Sequence, residues 1–213
     1  MMKLPRIYPI LDTEVLANFG VGLENAAAAF LEGGAGILQI RHKGHWSREI
    51  FESAREVARF SRESGAQLII NDRADFALLL EAGLHIGQDD LPPRDARKLL
   101  GHDAPIGYSS HNVPQLCEAG GEPVDYVALG PVFATTSKRN ADPVVGVAEV
   151  RRCRGLIAKP LVAIGGITRE NALEVLRAGA DSLALISGLL PETATSRSLR
   201  ERMEEWQRLV KIA

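Results

Sequence analysis

Cysteine is nearly absent from this chain of 213 residues, which carries only Cys117 and Cys153. The two are not spaced as a metal-ligand pair, so a reducing cytosol is expected, with both thiols in the core or on a helix face. Charge excess is also absent. A formal net charge of −2 argues against a partner such as nucleic acid held by bulk charge, so any anion site must be local. No apolar run is long enough to span a bilayer, and Met1-Met2-Lys3-Leu4-Pro5 lacks the apolar core of a signal peptide. No membrane contact and a cytoplasmic location are therefore expected. The first apolar run is not followed by Gly-x-Gly-x-x-Gly, which weighs against an open dinucleotide-binding sheet. Nor does a Ser-His-Asp or Cys-His set stand out. What remains is an apolar content of 46%, enough for a sizeable core, in a length normal for a single α/β barrel. Residues 1–213 are read as one domain.

The most informative stretch is Gln67-Leu68-Ile69-Ile70-Asn71-Asp72-Arg73. An apolar run this short reads as a strand buried on both faces. Polar residues at its end make sense at an open strand end facing a ligand. The design recurs: Ile7–Asp12 ends in an acid, Ile37–Lys43 turns basic, Leu84–Gly87 leads to Gln88-Asp89-Asp90, and Pro105–Ser110 ends in hydroxyls. Asp125–Gly130, Pro160–Ile164 and Ser182–Ile186 complete eight strand candidates. Helical stretches alternate with them: Leu23–Leu31, Ser47–Ser64, Ala74–Glu81, Pro92–Leu100, Val113–Ala119, Val147–Arg154, Thr168–Ala178 with Thr168 as cap, and a last helix bearing Leu199, Met203, Trp206 and Leu209 on one face. The glycine-terminated segments Leu31-Glu32-Gly33-Gly34, Leu80-Glu81-Ala82-Gly83, Cys117-Glu118-Ala119-Gly120 and Leu176-Arg177-Ala178-Gly179 predict left-handed caps before strands. Eight strand-helix units with short links predict an α/β fold, the closed parallel (β/α)8 TIM barrel.

In such a barrel the strand ends share one face. Gly165-Gly166 and Ser187-Gly188, after the seventh and eighth strands, suit close approach of backbone N–H groups to a phosphate. Asp72 and Asp90 end adjacent strands, and hard oxygen ligands with no nearby His or Cys cluster suit magnesium. The alternative for Asp72 is an ion pair with Arg73 or a cap on the next helix, and Asp89 is the weaker ligand candidate. Arg41 and Lys43 flank His42, so strand geometry turns both to one side. Together these suggest a diphosphate carried by magnesium and basic side chains. The loop Phe133-Ala134-Thr135-Thr136-Ser137-Lys138 is a candidate phosphate-binding lid, with an ordinary solvated loop as the alternative, and Thr135 to Asp142 is expected to be disordered without ligand. His111 is read as structural, capping the next helix or bonding Ser109, with an acid/base role as the alternative; His85 is read as core.

In order along the chain, Gln39-Ile40-Arg41-His42-Lys43, Asn71-Asp72-Arg73, His85 to Asp90, Gly107 to Asn112, Gly130-Pro131-Val132-Phe133, Thr135 to Lys138, Ala163 to Ile167 and Ile186-Ser187 resemble the motifs of the thiamine-phosphate synthase family. The resemblance spans nearly the whole chain. It implies condensation of hydroxymethylpyrimidine diphosphate with hydroxyethylthiazole phosphate, giving thiamine phosphate and pyrophosphate. By matching position, Gln39, Arg41, Lys43, Asn71, Ser109 and Lys138 would hold the pyrimidine diphosphate, with Ile40 and His42 inside the same motif. Arg41, Lys43, Ser109 and Lys138 would serve the chemical step. Asp72 and Asp90 would bind a single Mg2+ per subunit. Thr135, Thr136, Ser137, Gly166, Ile186 and Ser187 would hold the thiazole phosphate.

Three departures stand out. Ala134 replaces a frequent proline, Ser137 replaces a usual threonine, and the link before His85 is one residue short, which would move Asp90 slightly. The rival readings are a thiazole tautomerase-like relative using His111, another phosphate-binding barrel such as a phosphosugar isomerase, and a non-catalytic thiamine-phosphate binding protein. A homo-oligomer is left open.

Overall fold

Strand order follows directly from chain order. In the computed structural model, which describes residues 2–135 and 142–211, eight parallel strands close into one barrel. They are β1 (Ile7–Asp12), β2 (Ile37–Arg41), β3 (Gln67–Asn71), β4 (Gly83–Ile86), β5 (Ile106–Ser110), β6 (Tyr126–Leu129), β7 (Leu161–Ile164) and β8 (Ser182–Leu185), and β1 pairs with β8 to complete the ring. Nine α-helices are seen among the described residues: α1 (Thr13–Asn18), α2 (Leu23–Glu32), α3 (Arg48–Ser64), α4 (Ala74–Leu79), α5 (Pro93–Leu100), α6 (Val113–Gly121), α7 (Gly146–Arg154), α8 (Ala172–Arg177) and α9 (Ser196–Val210). The expected TIM barrel is the observed fold.

The strands read as unbroken apolar runs because both of their faces are covered. Alternation still sorts the side chains. Ile7 and Leu11 of β1 join the large cluster beneath the helices, while Tyr8 and Ile10 join Ile37, Ile69, Tyr126, Ala128, Val162 and Ala184 inside the barrel. Leu4 belongs to that inner cluster too, tying the segment before β1 to the barrel interior.

The N-terminal end of the barrel carries a repeated brace. Asp125, just before β6, accepts from the Ile106 amide at 2.8 Å and from Arg97 of α5 at 2.7 Å. Asp181, just before β8, accepts from the Leu161 amide at 2.8 Å and from Arg154 of α7 at 2.7 Å. Each acid thus ties its own strand start to the start of the preceding strand and to the helix before that strand, at the end opposite the one that carries function in such barrels.

Several local expectations are corrected. α1 was not foreseen; Asp12 makes it by accepting from the Glu14 and Val15 amides. Thr168 does not cap a helix. Residues 169–171 form a turn, the Asn171 side chain accepts from the Thr168 amide at 2.8 Å, and α8 begins only at Ala172. Of the glycine caps, Gly34 and Gly179 do take positive φ. In the Leu80 to Gly83 segment, however, Glu81 takes that conformation instead. Gly83 already lies in β4, where a Cβ would come within 2.5 Å of Ile69. Gly120 lies inside α6, which runs on to Gly121. Cys117 is exposed and Cys153 buried, on helices as expected.

Candidate active site

Register brings the first charged pair together. Asp12 ends β1 opposite Arg41 at the end of β2. The two form a close ion pair, with Asp12 almost wholly buried. One Asp12 oxygen pairs with the guanidinium and the other caps α1. Asp12 therefore fixes where Arg41 lies. This role was missed from sequence, although the acid at the strand end was visible.

One strand further round the barrel, Lys43 forms a close ion pair with Asp72, just past β3. Asp72 adopts φ 65°, a left-handed backbone uncommon for any residue but glycine, Asn or Asp. Its amide donates to the His85 carbonyl at 2.8 Å, so the strand ladder extends one residue while the backbone turns. Arg73 does not pair with Asp72; it pairs with Asp75 and stacks over Phe76. Nor does Asp72 cap α4, whose flanking residue is Arg73 with no side-chain cap bond.

Asp90 lies within hydrogen-bonding reach of Asp72 and accepts from the Gly87 amide at 2.7 Å. Burial raises the Asp72 carboxyl above its ordinary pKa; Lys43 pulls against that rise and Asp90 adds to it. Two adjacent carboxylates, one already resisting ionisation, are a hard-oxygen set that a small dication would relieve. The residues present thus fit magnesium. Among the described residues no cluster of three or more His, Cys, Asp and Glu side chains forms. Such an ion would keep positions for water and phosphate oxygens. The short link before His85 does not separate the two acids, and Asp89 is exposed.

Asn71, at the end of β3, is buried, and its Nδ2 has no partner among the described residues. A buried unpaired donor beside two ion pairs fits an acceptor on a ligand. Ser109 of β5 bonds His85 Nε2 at 2.8 Å, and its carbonyl accepts from Gln88 at 2.6 Å. Gln39, inside the barrel on β2, donates to Tyr8 at 2.9 Å. Two members of the β2 motif face elsewhere. Ile40 is fully buried in the cluster beneath the helices. His42 bonds Thr13 at 2.7 Å and the His45 carbonyl at 3.1 Å, with Trp46 against its ring. Either could reach a ligand only through its backbone.

The far side of the site is built on glycine. Gly165 and Gly166, after β7, have φ of 97° and 63°. A Cβ on Gly166 would sit 2.4 Å from the Ala134 carbonyl oxygen, and one on Gly165 would sit 2.5 Å from Pro131. The loop after β6 packs directly on them, with the Val132 and Phe133 amides donating to the Ile164 and Gly165 carbonyls. These glycines serve close packing whatever else they do. Ile186 packs against the inner cluster, and Ser187 begins a single 3-10 turn, Ser187–Leu189. Thr135 is half-buried; Thr136, Ser137 and Lys138, and with them the second half of the expected lid, lie outside the described residues.

His111 has partners other than the expected Ser109 or helix cap. Its Nδ1 donates to the Gly130 carbonyl at 2.7 Å, bracing the loop after β6, while Asn112 caps α6. Asp142 lies 3.3 Å from the same nitrogen. His85 is buried, as expected of core, yet polar on both ring nitrogens.

Residues 7–189 match the family model for thiamine monophosphate synthase. The chain is 47% identical over 195 residues to the thiamine-phosphate synthase of Koribacter versatilis, covering 89% of this chain and 90% of that one. It is 39% identical over 201 residues to that of Chloroflexus aurantiacus, covering 92% and 91%. Among solved structures, the thiamine phosphate pyrophosphorylase of Pyrococcus furiosus superposes with a TM-score of 0.84 at 31% identity, over 97% of this chain and 96% of that one.

Proposed function

The chain belongs to the thiamine-phosphate synthase family and is an enzyme of it, and from that premise we propose that it condenses hydroxymethylpyrimidine diphosphate with hydroxyethylthiazole phosphate. The observation that carries the proposal is the convergence of Arg41 and Lys43 with the adjacent acids Asp72 and Asp90 at the ends of β2 to β4. Both cations are already held by carboxylates, so their positions are set before a ligand arrives.

The bond that breaks joins the pyrimidine methylene carbon to the diphosphate oxygen, and the diphosphate leaves with the electron pair. The amino-substituted pyrimidine stabilises the resulting methylene cation. The thiazole nitrogen then supplies its own lone pair to form the new C–N bond. No proton leaves in this sequence, so no general base is needed. The work left to the protein is orientation and neutralisation of the leaving group. Arg41 and Lys43 would bind the departing diphosphate, joined by Lys138. Asn71 and Ser109 would donate to its oxygens. Asp72 and Asp90 would hold a magnesium ion, whose contribution when bound is to offset the charge of the diphosphate. Gly166, Ile186 and Ser187, with Thr135, Thr136 and Ser137 of the neighbouring loop, would receive the thiazole phosphate.

Calorimetric titration of the pyrimidine diphosphate alone tests the binding half of the proposal. Affinity should rise with magnesium and fall about tenfold or more in Lys43→Ala and in Arg41→Ala, as expected for a charge-assisted hydrogen bond. Equal affinity with magnesium and with chelator would overturn the assignment of Asp72 and Asp90.

A further inference from the structure

Beneath the candidate site, five polar side chains cross the barrel interior in one unbroken chain. Gln39 Nε2 donates to the Tyr8 hydroxyl at 2.9 Å, Tyr8 meets the Tyr126 hydroxyl at 2.8 Å, Tyr126 meets His85 Nδ1 at 3.1 Å, and His85 Nε2 meets Ser109 Oγ at 2.8 Å. The two ends are substrate-binding residues in the reading above. Tyr8, Tyr126 and His85 have no task in it. All three are buried, at 1%, 0% and 8% exposure. Phenylalanine would fill either tyrosine site without the cost of burying a hydroxyl.

The chain also has a provision made for it. Gly107 lies in register between His85 on β4 and Tyr126 on β6. A Cβ at Gly107 would fall 2.1 Å from the Tyr126 ring. Its absence lets that ring cross β5 and stack on His85, with centroids 5.6 Å apart.

With Gln39 Nε2 as the donor to Tyr8, proton bookkeeping sets the direction of every other bond in the chain. Burial pushes both phenols well up, so each is neutral and has a single proton to give. The Gln39 amide nitrogen can only donate. Tyr8 accepts that proton and passes its own to Tyr126, and Tyr126 passes its own to His85 Nδ1. Nδ1 is then the acceptor nitrogen, so the neutral ring carries its proton on Nε2 and donates it to Ser109 Oγ. The Ser109 proton is left for an acceptor in the pocket, and the Gln39 carbonyl oxygen is left for a donor. Reversing the Gln39 amide would reverse every bond, turning Ser109 toward His85 and leaving Gln39 with N–H groups to offer.

We propose that the Tyr8–Tyr126–His85 chain fixes the hydrogen-bond polarity of the pocket, holding Gln39 as an acceptor and Ser109 as a donor. That pairing matches a ring amino group at one end and diphosphate oxygens at the other; the reversed chain would mismatch both. The three residues are positioning residues. The match to amino group and diphosphate rests on the proposed synthase reading, whereas the polarity itself does not.

The test uses full-length protein labelled with 15N-histidine and free of ligand. Long-range 1H–15N correlation reads the tautomer of His85, identified by loss of its signals in His85→Gln. The expected form is neutral with the proton on Nε2; a proton on Nδ1 would overturn the proposal, whether or not the protein turns over substrate. Tyr126→Phe keeps the packed ring and removes only the link. It should convert His85 wholly or partly to the other tautomer and raise KM for the pyrimidine diphosphate about tenfold, with thermal unfolding confirming a folded protein. In a Ser109→Ala background the same change should add less than about twofold, since the donor it orients is gone. Tyr126→Phe that leaves the tautomer unchanged, or multiplies fully with Ser109→Ala, would reduce the chain to ordinary packing.

Discussion

Asp12 does two jobs with two oxygens, and substitution can separate them. Asp12→Ala removes both the α1 cap, which accepts from the Glu14 and Val15 amides at 3.1 and 3.0 Å, and the partner of Arg41. Loss of a helix cap costs about 1 kcal/mol. Leaving Arg41 unpaired costs about 3 kcal/mol, the lower end of the range for breaking a buried pair, because its side chain retains 17% exposure against 3% for Asp12. The expected total is about 4 kcal/mol, or a fall of about 10 °C in Tm for a chain of this size. Asp12→Asn keeps a capping oxygen but not the charge, so it should recover about 1 kcal/mol of that loss. Arg41 would be misplaced in both variants, so kcat/KM should fall about equally in both. Calorimetric melting and steady-state rates read the two effects. Ala and Asn variants that melt together would refute the division of labour, and full activity in either would refute the claim that Asp12 positions Arg41.

Other outcomes follow from the same geometry. Asp72→Ala should lower turnover about a hundredfold or more while costing only about 1 kcal/mol of stability, since a strand-end carboxylate packs little and the left-handed backbone cost is modest. A collapse in Tm matching the loss of rate would contradict this. Gly166→Ala combines φ 63° with a Cβ 2.4 Å from the Ala134 carbonyl. It should cost about 2 kcal/mol and raise KM for the thiazole phosphate more than for the pyrimidine diphosphate, which paired kinetics would show. Arg97→Ala removes bonds to the Pro123, Gly101 and Ala104 carbonyls and to Asp125 at the opposite end of the barrel. It should cost about 3 kcal/mol in thermal unfolding yet leave kcat and both KM values within about twofold of wild type below the melting transition.

Much of the barrel was legible because a parallel strand covered on both faces leaves an apolar run that local sequence can display. Leu68-Ile69-Ile70 followed by Asn71-Asp72 gave both a strand and the direction in which it opens. The acids Asp72 and Asp90 and the cations Arg41 and Lys43 could be collected from strand ends alone. What stayed hidden depends on closure. That Asp12 meets Arg41 follows from β1–β2 register, and that His42 turns to Thr13 follows from α1, a helix too short to announce itself. Gly107 looks like an ordinary strand glycine until β4 and β6 are placed on either side of it. Only then does its missing Cβ explain how Tyr126 reaches His85. Thr168 misled for a local reason: the Asn171 side chain bonds back to its amide and holds a turn where a helix start was expected.

The most direct measurement of the proposed activity is simultaneous assay of thiamine phosphate and pyrophosphate in reactions with both substrates and magnesium, each component omitted in turn. Equal amounts of the two products, formed only when both substrates are present and abolished by a chelator, are the expected result. Pyrophosphate released without the thiazole phosphate at an undiminished rate, or a folded protein that binds both substrates and forms neither product, would contradict it.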